Sequence, residues 1–242
     1  MNREELSAIA HTRHPIKSPL DDDSVRRLLE HGISRGDERV LDLGCGSGEW
    51  LLRALAARPG VRAEGVDISE GALTDARARA ARLGVEDRLT LHHMPAADFV
   101  SPHAFDVVLS FGAAHAFGGL LPTLAAAREH LAPGGRVLVG DGLWEREPSQ
   151  EAIEMLGDFA DLATTVDRVL ADGWTPVHGH VSTRQELDDY EWSCWGTLAD
   201  WALDHPDGPE VLAFAATRRS EWLRGYRDTW GFVSLVLRRT DG

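Results

Sequence analysis

The chain contains few of the residues on which several classes of protein depend. Its 242 residues include two cysteines, Cys45 and Cys194, and a single lysine, Lys17. Two distant cysteines form neither a disulfide framework nor the ligand spacing of a metal site, and they are typical of a reducing compartment. One lysine leaves almost no scope for a catalytic lysine. We therefore expect a cytoplasmic protein without a structural metal.

Long apolar runs and an excess of positive charge are also missing. No run of about 18 apolar residues could span a membrane, and the first five residues, MNREE, lack the apolar core of a signal peptide. The formal net charge is −14 at pH 7, whereas nucleic acids and anionic membranes attract basic surfaces. We therefore expect neither as a partner, although an acidic surface identifies no substrate.

The most informative segment reads VLDLGCGSGE, in which a buried strand would lead into a glycine-rich turn and then a helix. Its glycines are Gly44, Gly46 and Gly48, and Asp42 stands two residues before the first. Alternating glycines let the backbone turn sharply and leave no Cβ in the way of a ligand. The helix would offer that ligand its free N–H groups and its positive dipole end. A dinucleotide fingerprint would need glycine where Glu49 stands, so a nicotinamide site is not indicated.

A second apolar run ends at Asp67, 19 residues after Gly48. A carboxylate at the tip of the second strand can accept both hydroxyls of a ribose. Further apolar runs cover residues 88–93, 105–110 and 136–141, and helical patterns separate them. Alternation of this kind predicts a parallel, doubly wound α/β sheet covered by helices on both faces.

In the order and spacing of these segments, the chain resembles the class I S-adenosylmethionine-dependent methyltransferases, in particular the bacterial enzymes that act on small molecules. The resemblance is strong over residues 39–141 and weak elsewhere. It implies a Rossmann-like, seven-stranded, mostly parallel sheet with an antiparallel last strand. It also implies one domain, with an N-terminal cap at 1–36, a cofactor half at 37–141 and a substrate half at 142–242. A helical insertion at 183–230, before the last strand, would serve as a lid.

Outside the shared segments, the sequence pattern predicts further elements. Helices are expected at residues 24–31, 49–58, 69–83, 119–131, 148–170, 184–203 and 209–226, and strands at 174–182 and 231–238. The proline-broken segment 11–19 is expected to be irregular. In the resembled family such a segment often folds over the cofactor, and the alternative is a frayed terminus.

The resemblance implies that S-adenosylmethionine is the cofactor and assigns residues to it. Asp67 would bind the ribose, Asp42 would lie near the methionine amino group, and Asp98 would bind the adenine amino group. Ser110 would line the methionine end. Asp98 could instead be an ordinary surface carboxylate, and Ile68, which follows Asp67, an ordinary core residue. The implied cofactor residues are Asp42, Gly44, Cys45, Gly46, Gly48, Asp67, Ile68, Ala97, Asp98, Phe99 and Ser110.

Two residues are candidates for catalysis. His115 follows the fourth strand and Asp141 ends the fifth, at the edge of the sheet where ligands bind in such folds. A hydroxyl acceptor would need a base of this kind, whereas a neutral amine needs only its lone pair. His115 could also contact the acceptor without taking a proton, or only pack within its loop.

Six of the eight tryptophans fall between residues 174 and 230. Aromatic side chains near a cationic cofactor could form an acceptor pocket by stacking or by cation–π contact. The alternative is that they only fix a helical insertion to the domain. Trp144, which follows the fifth strand, and Trp192 and Trp195, which share a helix face, are the candidate substrate contacts.

The remaining histidines do not indicate a metal site. His92 and His93 are neighbours on a strand and cannot both face one site. His178 and His180 share a strand face, but two histidines alone do not make a metal site. No metal ligand is therefore predicted.

The expected function is transfer of a methyl group from S-adenosylmethionine to an amine or hydroxyl of a small molecule, by a monomer or homodimer. Two alternatives remain open. The protein could use the same cofactor for other chemistry, such as cyclisation. It could also be a cofactor-binding module without catalytic activity.

Overall fold

The computed structural model describes residues 1–206 and 208–241, with backbone alone for Arg3 and Glu4. Within them, one seven-stranded sheet has the strand order β3-β2-β1-β4-β5-β7-β6. The strands are β1 (Arg39–Leu43), β2 (Arg62–Asp67), β3 (Leu89–His93), β4 (Phe105–Phe111), β5 (Leu131–Trp144), β6 (Trp174–Val181) and β7 (Trp230–Arg239).

Helices connect these strands. They are α1 (Arg3–Ala10), α2 (Asp22–Gly32), α3 (Glu49–Ala57), α4 (Glu70–Leu83), α5 (Ala114–Phe117), α6 (Leu120–His130), α7 (Gln150–Leu156), α8 (Leu162–Ala171), α9 (Arg184–Leu203) and α10 (Gly208–Ser220). A π-helical segment, Glu221–Tyr226, continues α10, and short 3-10 turns occupy Glu86–Arg88 and Ala96–Asp98.

The sheet is mostly parallel, as predicted. Strand β1 pairs in parallel with both β2 and β4, and the further pairs β2–β3 and β4–β5 are also parallel. The chain order reverses between β1 and β4, which makes this the point where doubly wound sheets bind ligands. Strands β6 and β7 are antiparallel, because Gly173 accepts a hydrogen bond from Thr240 while Ser182 donates to Phe232.

One predicted helix was wrong. The expected single helix at 148–170 is two helices, α7 and α8. The interruption is at Gly157, whose φ of 113° is poorly accessible to residues with a Cβ. A new helix then begins after Asp161, whose carboxylate accepts the backbone N–H of Thr164 at 2.9 Å. A glycine and a capping acid thus outweigh the continuous helical pattern.

Other elements differ in detail. The helix expected at 209–226 changes from α-helical to π-helical geometry at Glu221. The segment after β4, expected as a loop, contains the four-residue helix α5. Helix α1, which was not predicted, begins with a capping box in which Asn2 and Glu5 each bond the other's backbone N–H at 2.8 Å.

The chain divides into two compact units, each described here by itself. The sheet unit comprises Asp22–Asp141, Val166–His180 and Val233–Gly242. The helical unit comprises Met1–Asp21, Gly142–Thr165 and Val181–Phe232. In the helical unit, α1 and α10 both pack on α9 around an apolar core formed by Ala10, Cys194, Trp195, Leu198, Ala202, Val211 and Ala215. The predicted single domain and its internal boundaries stay predictions.

Candidate cofactor and active site

The glycine turn after β1 has no room for a side chain at Gly44 and little room for one at Gly48. Gly44 has a φ of +90°, and a Cβ added there would lie 2.4 Å from the Cβ of Ala113. Gly48 has a φ of +71°, and an added Cβ would lie 3.3 Å from the Cβ of Ala76 on α4. The turn is therefore fitted closely between the segment after β4 and helix α4, and its glycines are required by both conformation and space.

Asp67 links this turn to the end of β2. One carboxylate oxygen, Oδ2, accepts the backbone N–H of Gly46 at 2.7 Å. The other, Oδ1, accepts the N–H of Ser69 at 2.8 Å, and Ser69 is the N-cap of α4. The carbonyl of Val66 also accepts the N–H groups of Gly44 and Cys45. The predicted ribose-binding acid and the glycine loop therefore form one hydrogen-bonded structure.

Asp42 is a buried carboxyl group on β1. Only 2% of its surface is exposed, and no side chain or backbone group among the described residues donates a hydrogen bond to its carboxylate. Burial, and secondarily the charge of Asp67, raises its pKa from the ordinary 3.8 to about 7. A buried carboxylate without a partner is unfavourable, so this position favours the arrival of a cationic group.

Several other predicted cofactor residues surround the same edge of the sheet. Ser110, on β4, donates its hydroxyl hydrogen to the carbonyl of Leu43 at 3.1 Å and so joins β4 to β1. Cys45 is buried in the glycine turn, and burial together with Asp42 and Asp67 raises the pKa of its thiol. This thiol is therefore a packing group rather than a nucleophile.

The predicted adenine contacts differ in accessibility. Ile68 is an apolar side chain with 70% of its surface exposed, and Ala97 and Asp98 are also exposed. Phe99 is buried, and its ring centroid lies 4.9 Å from that of His92 and 5.4 Å from that of His130. Ile68 and Asp98 are thus free to meet a ligand, while the contacts of Phe99 are internal; its adenine contact stays a prediction.

The two catalytic candidates belong to the sheet unit. His115 is exposed on α5, and its imidazole makes no hydrogen bond with another described residue. Helix α5 contacts the 3-10 turn that holds Asp98. Asp141 is half-buried on β5, one residue beyond Gly140, which pairs with Phe111 at the end of β4. The expectation that Asp141 ends the fifth strand and that Trp144 follows it was wrong, because β5 continues through Asp141 and ends at Trp144. His115 lies just beyond the end of β4, and the catalytic roles of His115 and Asp141 stay predictions.

The three candidate tryptophans, all in the helical unit, have different surroundings. Trp144 is 6% exposed and packs on Phe159, with ring centroids 6.0 Å apart. Trp195 belongs to the apolar core between α1, α9 and α10. Trp192 is 54% exposed, and its ring centroid lies 4.0 Å from that of Trp195. Within the described residues, no ring contact connects Trp144 to the other two.

Sequence reasoning missed two features next to the glycine turn. The rings of Trp50 and Phe111 are stacked with centroids 4.0 Å apart, at the start of α3 and the end of β4. Glu49 is buried and forms ion pairs with Arg53 and with Arg79 of α4. The only signal for either was position, because Glu49 and Trp50 directly follow Gly48.

Comparisons with known proteins identify the family. The family model of the methyltransferase domain matches residues 41–137. The uncharacterized protein YjhP of Escherichia coli (strain K12) is 30% identical over 249 residues, which cover 98% of this chain and all of that protein. The chain therefore belongs to the methyltransferase family.

Solved structures agree with this assignment. A SAM-dependent methyltransferase from Geobacter sulfurreducens, in complex with S-adenosyl-L-homocysteine, is 27% identical with a TM-score of 0.89, covering 97% of this chain and 98% of that one. One from Thiobacillus denitrificans, in the same kind of complex, is 27% identical with a TM-score of 0.87 and 99% coverage of both chains. The protein is a class I S-adenosylmethionine-dependent methyltransferase, and the predicted family, enzymatic activity and cofactor are confirmed.

Two kinds of feature are absent from the described residues. None of their helices has both the length and the apolar character needed to cross a membrane. No cluster of three or more histidine, cysteine, aspartate or glutamate side chains among them could hold a metal ion.

Proposed function

We propose that the protein methylates a small-molecule acceptor at an amine nitrogen or a hydroxyl oxygen. The observation that supports methyl transfer is the hydrogen-bonded structure of the glycine turn and Asp67, with the unpartnered carboxyl of Asp42 on the adjoining strand, where the cofactor would bind. We expect the acceptor to approach the same carboxyl edge of the sheet, with His115 and Asp141 as its candidate bases.

The residues present fit the cofactor. Each oxygen of Asp67 accepts one backbone N–H, and because a carboxylate oxygen can accept more than one hydrogen bond, the ribose hydroxyls can be added without breaking the turn. Such charge-assisted bonds contribute about 1.5–3 kcal/mol each. Asp42 would hold the methionine ammonium, directly or through water, and Ile68 and Asp98 would contact the adenine.

The chain's contribution to the reaction is mainly orientation. Bound S-adenosylmethionine supplies a methyl group on a positively charged sulfur, and methyl transfer then depends on alignment of the acceptor atom with that methyl group. For a hydroxyl acceptor, the neutral imidazole of His115 or the carboxylate of Asp141 would take the proton. For an amine acceptor neither base is required, and the two residues would only position the substrate.

The acceptor class is proposed from the resemblance to bacterial enzymes that act on small molecules. A net charge of −14 disfavours nucleic acid as a substrate but does not by itself identify the acceptor. Trp144, Trp192 and Trp195 stay candidate acceptor contacts, and Trp192 offers the most exposed ring of the three. A cytoplasmic location and a monomeric or homodimeric state remain part of the proposal.

Product analysis with a panel of small amines and phenols tests the proposal. Formation of S-adenosylhomocysteine together with a methylated acceptor supports it, with the Asp67→Ala variant as the control for background reaction. An acceptor that changes while no S-adenosylhomocysteine appears would indicate cyclisation or related chemistry. Calorimetric binding of S-adenosylmethionine without turnover of any compound would favour a non-catalytic module.

A further inference from the structure

We propose that His92 positions Asp98 for recognition of the adenine amino group. His92 acts by packing on Phe99, which directly follows Asp98, and Glu64 fixes the orientation of the His92 ring. The inference rests on the proposed assignment of Asp98 to the adenine. It goes further because it identifies the residues of this chain that make the adenine contact selective. All four residues belong to the sheet unit.

The carboxylate of Asp98 is not fixed by a partner of its own. Asp98 is exposed, and no described residue donates a hydrogen bond to its carboxylate or forms an ion pair with it. Its backbone N–H donates to the carbonyl of Pro95 at 3.0 Å, and that of Phe99 donates to the carbonyl of Ala96 at 3.4 Å. Because the hydrogen bonds of a short 3-10 turn have poor geometry, the position of this carboxylate depends on what holds the turn.

Phe99 attaches the turn to the rest of the sheet unit. Ala96 and Phe99 are buried, whereas Ala97 and Asp98 between them are exposed. The ring centroid of Phe99 lies 4.9 Å from that of His92, with the rings tilted against each other. Ring contacts at this distance are favourable. Two buried residues therefore flank the exposed pair, and the second of them is held by a ring of β3.

The ring of His92 is itself fixed by a hydrogen bond. Its Nε2 atom lies 2.9 Å from Oε2 of Glu64 on β2. A carboxylate can only accept, so Nε2 carries the hydrogen and donates it. The other oxygen of Glu64 accepts Nη2 of Arg39, on β1, at 3.4 Å. The side chains of His92 and Glu64 are 31% and 21% exposed, so their hydrogen bond is partly shielded from water.

His130 supports Phe99 from the end of α6. It is buried, and its ring centroid lies 5.4 Å from that of Phe99. Burial lowers the pKa of His130, so a neutral imidazole packs on Phe99 at physiological pH. His130 therefore contributes packing without charge.

The contact between His92 and Phe99 closes a short loop that begins at the end of β3. The N–H of Met94 donates to the carbonyl of Asp67 at 3.1 Å, so the start of this loop is fixed on β2. The His92–Phe99 contact fixes its other end, directly after Asp98. The side chain of Asp67, proposed for the ribose, is held by its own backbone hydrogen bonds. Loss of the ring contact should therefore change the adenine contact and spare the ribose contact.

Selectivity for the adenine amino group measures the position of Asp98. The two probes are S-adenosylhomocysteine and its 6-deamino analogue, in which hydrogen replaces the amino group. They differ only in the group that Asp98 would bind, so the ratio of their Kd values isolates this contact. Titration calorimetry of the full-length wild type should give a ratio of about tenfold or more. Asp98→Ala should reduce the ratio to about one.

His92→Ala removes the ring that packs on Phe99 and should lower the ratio at least about threefold. His92→Phe keeps a ring at this position and should retain more of the ratio than His92→Ala. His103→Ala is the matched control, because His103 is an exposed histidine in the loop between the 3-10 turn and β4. It should leave the ratio unchanged. A merely structural role of His92 would weaken the binding of both probes equally and would not alter the ratio.

Phe99→Leu is an independent variant, since it keeps an apolar side chain and removes the contacts with both histidine rings. It should lower the ratio at least as much as His92→Ala, and it decides the question if His92→Ala does not fold. A wild-type ratio in either variant, or a ratio in His92→Phe as low as in His92→Ala, would overturn the positioning role.

The Asp98 arm separates this inference from the assignment on which it rests. A lowered ratio in Asp98→Ala with a wild-type ratio in His92→Ala would overturn the role of His92 and leave the adenine contact in place. An unchanged ratio in Asp98→Ala, or a wild type that binds both probes equally, would overturn both. Methyl transfer is measured independently by product analysis, so its failure would be distinguishable from either result.

Discussion

The carboxylate of Asp67 accepts the backbone N–H of Gly46 at a distance of 2.7 Å. Asp67, the acid expected to bind the ribose, therefore also stabilises the conformation of the glycine turn. Its other oxygen bonds the N–H of Ser69, at the start of α4. Substitution of Asp67 should accordingly affect both ligand contact and the conformation of the empty turn.

Asp67→Ala should weaken S-adenosylhomocysteine binding about ten- to a hundredfold, since a loss of about 1.4 kcal/mol is a factor of ten. The two lost backbone hydrogen bonds should also lower the melting temperature of the cofactor-free protein. Calorimetry and thermal unfolding measure the two effects. Asp75→Ala, which removes an exposed acid from α4, is the control and should change neither. Near-normal affinity in Asp67→Ala would refute the ribose assignment.

Cofactor affinity should depend on pH through Asp42. Burial raises the pKa of this carboxyl to about 7, and a bound ammonium would favour the ionised form. Below pH 7 the proton must leave when the cofactor binds, so affinity should fall by up to about tenfold per pH unit. Titration calorimetry at pH 8, 7 and 6, in buffers with different ionisation enthalpies, measures both the affinity and the released proton.

Asp42→Asn isolates this effect. The variant should bind S-adenosylhomocysteine more weakly at pH 8 and should show little change in affinity between pH 8 and 6. Because a raised carboxyl pKa destabilises the folded protein above the ordinary value of 3.8, the variant should also melt at a higher temperature than wild type at pH 8 without cofactor. A wild-type pH dependence in the variant would contradict the role given to Asp42.

The sequence predicted correctly those helix ends that depend on residues close by in the chain. Helix α9 begins and ends where expected, because Thr183 and Glu186 form a capping box at its start. The parallel, doubly wound sheet was predicted from the alternation of apolar runs with helical patterns, whereas no strand order was predicted. The break at Gly157 was missed because one glycine within a helical pattern does not show which backbone angle it will adopt.

Features that depend on distant contacts could not be read from the sequence. The burial of Phe99 results from packing on His92 and His130, which are 7 and 31 residues away. The partners of Glu49 include Arg79 on another helix. Likewise, Trp195 was selected as a pocket residue from helix spacing, and its place in the core of the helical unit depends on α1 and α10.

His115→Ala should lower the rate by about 10² to 10⁴ with little change in cofactor affinity, if the imidazole acts as a general base. A histidine base acts only in its neutral form, so kcat/KM of the wild type should fall at acid pH and this dependence should disappear in the variant. If His115 only shapes the pocket, the loss should appear as a raised KM for the acceptor. Unchanged kcat and KM would exclude both roles.

Hydrogen exchange tests the proposed lid. We expect residues 183–230 and 11–17 to gain protection when S-adenosylhomocysteine and an acceptor are both bound, because lids exclude water and complete an active site. The buried strand β1 serves as an internal reference whose exchange should stay slow in all states. Unchanged exchange in both segments would contradict the lid, and the tryptophans of the insertion would then only fix it to the domain.

The docking of α1 should weaken at acid pH through His11. Burial lowers its pKa from the ordinary 6.5 to about 4, and the nearby cations Lys17, Arg218 and His14 act in the same direction although its bond to Ser7 opposes them. The unfolded protein therefore binds a proton between pH 6.5 and 4 that the folded protein does not, so stability falls as the pH falls through that window. The loss should reach about 2 kcal/mol near pH 4.5.

Urea unfolding of wild type and His11→Gln at pH 7.5 and 4.5 measures this contribution. The other titrating groups are shared by both proteins, so they cancel in the comparison. Wild type should be the more stable at pH 7.5, because His11 accepts the hydrogen bond of Tyr190, and this advantage should shrink by about 2 kcal/mol at pH 4.5. A stability difference that is the same at both pH values would show that His11 takes up its proton in the folded protein, and that α1 does not depend on a neutral imidazole.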